Sequence, residues 1–183
     1  MVPFWQFGLV GILSVAVVTD LQTRKIYNWL TFPAILAGIG LNVAIGGWAG
    51  LQTSLLGLFL GSLVFVVGFF MGAMGAGDVK LMAAIGAWMG WPYTLAAVIY
   101  VTIVGGVIAL GAAALNGSLN QLFKNIYWFF VGLVTPGAKA SASLTQSAAP
   151  PVAYGVSIAI GTALALFFPE PNQLIGLLIG RGG

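Results

Sequence analysis

The chain has 183 residues, 60% of them hydrophobic and only 5% charged, with a formal net charge of +3. A soluble domain carries about 25% charged residues, so this chain cannot cover a globular surface in water, and its small net charge gives no ground for a nucleic-acid partner. Cysteine and histidine are both absent, which rules out a disulfide framework, thiolate or imidazole metal sites and any histidine-based triad.

Mean hydropathy is +1.07, and the apolar stretches approach the roughly 20 residues needed to cross a bilayer. The first span is predicted from Pro3 to Thr19. No Lys or Arg occurs from Met1 to Gly11, so this stretch lacks the basic start of a signal peptide and reads as a retained span. A polar loop, Asp20-Leu21-Gln22-Thr23-Arg24-Lys25-Ile26-Tyr27-Asn28, follows. A second span is predicted from Trp29 to Ile45, a turn at Gly46-Gly47, and a third span from Leu51 to Met71. The Gly-rich segment Gly72-Ala73-Met74-Gly75-Ala76-Gly77-Asp78-Val79-Lys80 leads into a short helix, Leu81 to Gly90, and then a span from Pro92 to Leu115.

Residues 116–151 form a connecting segment of different character. Leu119 to Val134, with the aromatic run Tyr127-Trp128-Phe129-Phe130, reads as an interfacial or re-entrant helix, and Thr135 to Pro150, rich in Ser and Ala, as a loop. The last clear span is Val152 to Phe168, and the tail has room for one more short helix. The fold class is therefore all-α: a single polytopic domain over 1–183 with about six membrane helices. The 27 glycines suit helices packed closely in lipid.

Charge orients these spans. If the loop holding Arg24 and Lys25 is cytoplasmic, Lys80, Lys124 and Lys139 fall on the same side and only Arg181 lies opposite, as the positive-inside rule favours. The count of crossings requires the short helix before Gly90 to be tilted or to extend back through Asp78.

The chain contains three acidic residues, Asp20, Asp78 and Glu170. Carboxylates are expensive in a membrane and are retained near water or where they are used. An even number of crossings separates Asp20 from Asp78, so both belong at one membrane face. Two neighbouring carboxyls share a proton. One can then take a proton from water while the other polarises a peptide carbonyl. On position alone each aspartate could equally be a solvated cap or a headgroup contact.

Local motifs shift that balance. Gly75-Ala76-Gly77-Asp78-Val79-Lys80 resembles the Gly-x-Gly-Asp signature of prepilin peptidases. The loop Asp20 to Asn28 is similar to the family's first motif, an Asp followed by a basic loop and Ile-Pro-Asn, with Tyr27 in place of Pro. Ala153-Tyr154-Gly155 resembles its late Pro-Tyr-Gly, with Ala153 in place of Pro. The likeness runs in order along nearly the whole chain and points to the short, peptidase-only forms, with no methyltransferase activity.

The resemblance implies a membrane aspartic endopeptidase with Asp20 and Asp78 catalytic. The site would face the cytoplasmic side of the inner or plasma membrane and remove the short basic leader of a prepilin or preflagellin. The partners implied are that substrate and the bilayer, with room for a homo-oligomer; no cofactor and no metal follow. Gly75 and Gly77 are expected to adopt backbone conformations closed to other residues and to let the substrate approach Asp78. Lys80 is expected near Asp78 or at headgroups, Asn28 as a cap on the second span, and Tyr154 in the site or at the interface. Arg24 and Lys25 read most simply as topology residues. The rival functions are a small proton- or ion-coupled transporter and a non-catalytic scaffold of a secretion machine.

Overall fold

Apolar sequence in lipid has no water to satisfy its backbone, so each spanning segment must close its own hydrogen bonds as a helix. The computed structural model describes residues 5–70, 74–120, 123–124 and 154–168, and its principal elements are five α-helices: α1 (Trp5–Thr23), α2 (Asn28–Phe70), α3 (Ala76–Met89), α4 (Trp91–Leu115) and α5 (Tyr154–Phe167). The segment read as an interfacial helix over 119–134 lies outside the described residues except for 119, 120, 123 and 124, as do the loop over 135–150 and the tail.

Among the described residues three helices are long and apolar enough to cross a membrane: α1 from Gln6, α2 and α4. At about 1.5 Å per residue an unbroken α2 would run about 65 Å, twice the roughly 30 Å hydrocarbon core. It is instead folded in two at the predicted turn, where Gly47 takes φ 55° and ψ −131°. The arms 28–46 and 48–70 return alongside each other, so closely that a side chain on Gly50 would strike the Asn42 carbonyl. The helices α3 and α5, at 14 residues each, are shorter than a span. Fewer than six membrane-length helices are therefore present among the described residues.

α3 lies in the angle between the arms of α2, with Leu81 to Ala87 all buried. Small residues make this approach possible. Gly57 meets the Gly86 backbone, Gly61 the Met82 carbonyl, and Gly38 the backbone at Ala87 and Trp88. The free carbonyls at the C-terminal end of α3 are satisfied from both arms. Asn42 Nδ2 donates to the Ala87 and Trp88 carbonyls at 2.9 and 3.2 Å, and Ser54 Oγ to the Ala87 carbonyl at 2.7 Å. Trp88 Nε1 donates in return to the Ala34 carbonyl at 2.7 Å. α3 ends at Gly90 (φ 75°, ψ 164°), and Pro92 opens α4. α4 carries α5, with Gly161 against the Val101 backbone. Leu9, Leu13, Leu81, Met82, Ile85, Tyr100 and Ile158 form a core shared by α1, α3, α4 and α5.

Two boundaries differ from the sequence reading. α1 continues through Asp20 to Thr23 and stops where Arg24, at φ 53°, leaves the helix with its N–H on the Asp20 carbonyl (2.8 Å). α3 starts at Ala76, not Leu81, and so takes Asp78 into its first turn.

Candidate active site

Asp20 occupies the last turn of α1 and Asp78 the first turn of α3. They are 6% and 7% exposed, which is incompatible with solvated caps at a membrane surface. Both line one cavity of about 350 Å³, together with residues 24–28 and 75–77.

Each carboxyl is held by one backbone N–H. Gly75 donates to Asp78 Oδ2 at 2.8 Å. This is the carboxylate half of a capping box, in which the third residue of a helix reaches back to the residue before its first turn. Gly155, at the start of α5, donates to Asp20 Oδ2, also at 2.8 Å. In both groups Oδ1 is left without a partner among the described residues. Asp78 lies outside the three membrane-length helices, and its carboxyl is pushed up from 3.8 to about 6. Burial is the main cause; the Gly75 N–H pulls the other way, and the charge of Asp20 adds to the rise. The two aspartates are thus electrostatically coupled.

The supporting residues are arranged differently from the sequence expectation. Lys80 does not turn to Asp78. Its ammonium donates to Asn28 Oδ1 at 2.8 Å and stands 5.5 Å from the centre of the Phe32 ring. Asn28 is the first residue of α2 and not its cap; the Tyr27 carbonyl accepts the first bonds, from the Leu30 and Thr31 N–H groups at 3.1 and 3.2 Å. Neither Gly75 nor Gly77 has positive φ; among the described glycines only Gly47, Gly90 and Gly117 do. What Gly77 supplies is space, and Ile26 uses it. A side chain at 77 would begin 2.9 Å from Ile26 Cβ and 3.1 Å from its carbonyl oxygen. Ile26, in the loop 24–27, is thus packed directly on Gly77, the residue before Asp78. Tyr154 opens α5 against Gly105, near enough to Asp78 to feel its charge.

Sequence reasoning does not single out Ile26 or Gly155. The Tyr-Gly pair is the one signal for the second. Among the described residues no three His, Cys, Asp or Glu side chains gather as a metal site would require.

Residues 7–110, which contain both aspartates, match the type IV leader peptidase family. The chain belongs to that family. It is 33% identical over 176 residues to a prepilin leader peptidase/N-methyltransferase of Burkholderia pseudomallei, covering 92% of this chain and 48% of that protein. A protein of the same description from Aeromonas salmonicida is 31% identical over 115 residues (59% of this chain, 39% of that protein). One from Klebsiella pneumoniae is 34% identical over 97 residues (48% and 42%). The chain therefore spans half or less of the length of these relatives. No solved structure matches it. For a leader peptidase family member, the convergence of Asp20 and Asp78 on one cavity gives the two acidic residues a common environment that neither motif alone specifies.

Proposed function

We propose that this chain is a membrane aspartic endopeptidase that removes the leader of a type IV prepilin or prepilin-like protein, with Asp20 and Asp78 as its catalytic pair. The observation that carries the reading is the burial of two carboxyls, brought from separate helices, in one cavity. Each offers a free Oδ1 to a water between them.

In this mechanism Asp78 holds the shared proton, consistent with its raised pKa, and Asp20 accepts a proton from the water. The water oxygen attacks the carbonyl carbon of the scissile bond while the Asp78 proton bonds to the carbonyl oxygen. Collapse of the tetrahedral intermediate breaks the C–N bond: the departing amine takes the proton from Asp20, and one hydroxyl of the intermediate returns its proton to Asp78 as the carboxyl product forms. General acid–base assistance of this kind contributes about 10²–10⁴-fold. No acyl-enzyme forms. Lys80 acts through Asn28, holding the start of α2 beside the cavity, Gly77 shapes its wall, and Tyr154 stands near enough to Asp78 to feel its charge.

Arg24 and Lys25 line the cavity, and the positive-inside tendency supports a site at the cytoplasmic boundary of the inner membrane. The activity proposed for these 183 residues is the peptidase alone. The test is cleavage of a co-expressed prepilin in membranes by wild type, Asp20→Asn and Asp78→Asn at equal expression. Wild-type cleavage with both variants inactive is expected. Cleavage surviving in both variants would remove the aspartates from the mechanism and bring the transporter and scaffold readings forward.

A further inference from the structure

The two carboxyls are held in different ways. Asp78 is hooked by Gly75, three residues before it. Asp20 depends on Gly155, 135 positions later and on another helix. Gly155 is buried, and its N–H, in the first turn of α5 as described, where helix donors have no partner further up the helix, has Asp20 Oδ2 as its partner among the described residues. It also has no room for a side chain. A Cβ at 155 would stand 2.7 Å from Asp20 Oδ2, 3.0 Å from its Cβ and 3.1 Å from its Cγ. Any residue but glycine therefore drives the Asp20 carboxyl off the donor that orients it. Nor can α5 easily back away: Gly161 lies against the Val101 backbone, and Tyr154 and Ser157 pack at Gly105.

We infer that Gly155 is a positioning residue for Asp20, fixing Oδ2 with its N–H and leaving Oδ1 for the water, so that the pair is assembled only when the start of α5 is docked on α1. This rests on the aspartic peptidase reading, and the experiment separates the two. In full-length protein in nanodiscs, prepilin cleavage is measured for wild type, Gly155→Ala and Gly161→Ala. In parallel, the protonation midpoint of Asp78 is followed by difference infrared spectroscopy, its band identified by loss in Asp78→Asn.

Gly155→Ala is expected to lower kcat by about 100-fold, the scale of a catalytic group misplaced by about 1 Å, with KM little changed, and to move the Asp78 midpoint because the charge beside it has moved. Gly161→Ala, which strains only the α4–α5 contact, is expected to lower thermal stability and leave the midpoint alone. Wild-type kcat in Gly155→Ala, or a midpoint unmoved by it, overturns the inference. If wild type cleaves nothing, the peptidase reading fails and the midpoint still decides for or against Gly155. If Gly155→Ala does not fold, Asp20→Gly is added to it. Folding restored by the double change supports the pairing, and folding not restored refutes it.

Discussion

Asp78 provides a prediction whose sign and size both follow from its surroundings. Its carboxyl titrates near 6 in the fold, against 3.8 when unperturbed. At about 1.36 kcal/mol per unit, ionising it in place costs about 3 kcal/mol more than in the unfolded chain. Because the folded state holds this proton more tightly, stability falls as pH rises from about 4 to 6, and the full penalty persists above that. Asp78→Asn removes the penalty and keeps an oxygen for the Gly75 N–H, so the variant should be inactive yet more stable than wild type at pH 8, by up to about 3 kcal/mol, with the advantage gone near pH 4. Cleavage should show an alkaline limb near pH 6, falling about tenfold per unit above it. The assays are unfolding in mixed detergent at several pH values and single-turnover prepilin cleavage across the same range. A variant less stable than wild type at pH 8, or a limb near pH 4, would refute the assignment of the proton to Asp78.

Other substitutions test the packing around the site. Gly57→Ala places a methyl on the Gly86 backbone, which cannot yield, and should cost about 1–3 kcal/mol; Gly40→Ala, which faces open space, should leave unfolding unchanged. Gly77→Ala should displace Ile26, reducing cleavage and shifting the thermal midpoint downward, whereas Gly75→Ala, which meets Asp78 Oδ2 only at an ordinary 3.4 Å, should be tolerated in the same measurements. Lys80→Met loses the bond to Asn28 and the contact with Phe32 at a cost of about 1 kcal/mol, and the alkaline limb of the pH profile should stay in place, since Asp78 is not its partner.

Much of this was legible in the residues because charges are so scarce. With three acids in 183 residues, pairing Asp20 with Asp78 needed only the parity of crossings, and the break at Gly46-Gly47 followed from glycine in a stretch too long for one span. Helix ends were less legible. A polar residue reads as loop, yet Asp20 continues α1 because the helix's own hydrogen bonds persist until Arg24. Asp78 likewise belongs to α3 because its side chain closes the first turn. Gly77 illustrates a deeper limit: sequence cannot distinguish a glycine chosen for its backbone angles from one chosen for its missing side chain. Lys80 could equally have answered Asp78 or Asn28, and only the placement of α2 decides. The Gly155 donor was least visible of all, since a backbone N–H is common to every residue but proline.

The 135 positions between Asp20 and its donor also set an order in time. A chain emerging from the ribosome forms the Gly75–Asp78 hook as soon as α3 does, but Asp20 waits for α5, the last of the described helices. Until that helix is made, the growing polypeptide carries both acids without the N–H that holds Asp20, so under the proposed mechanism an unfinished molecule has not yet assembled its pair.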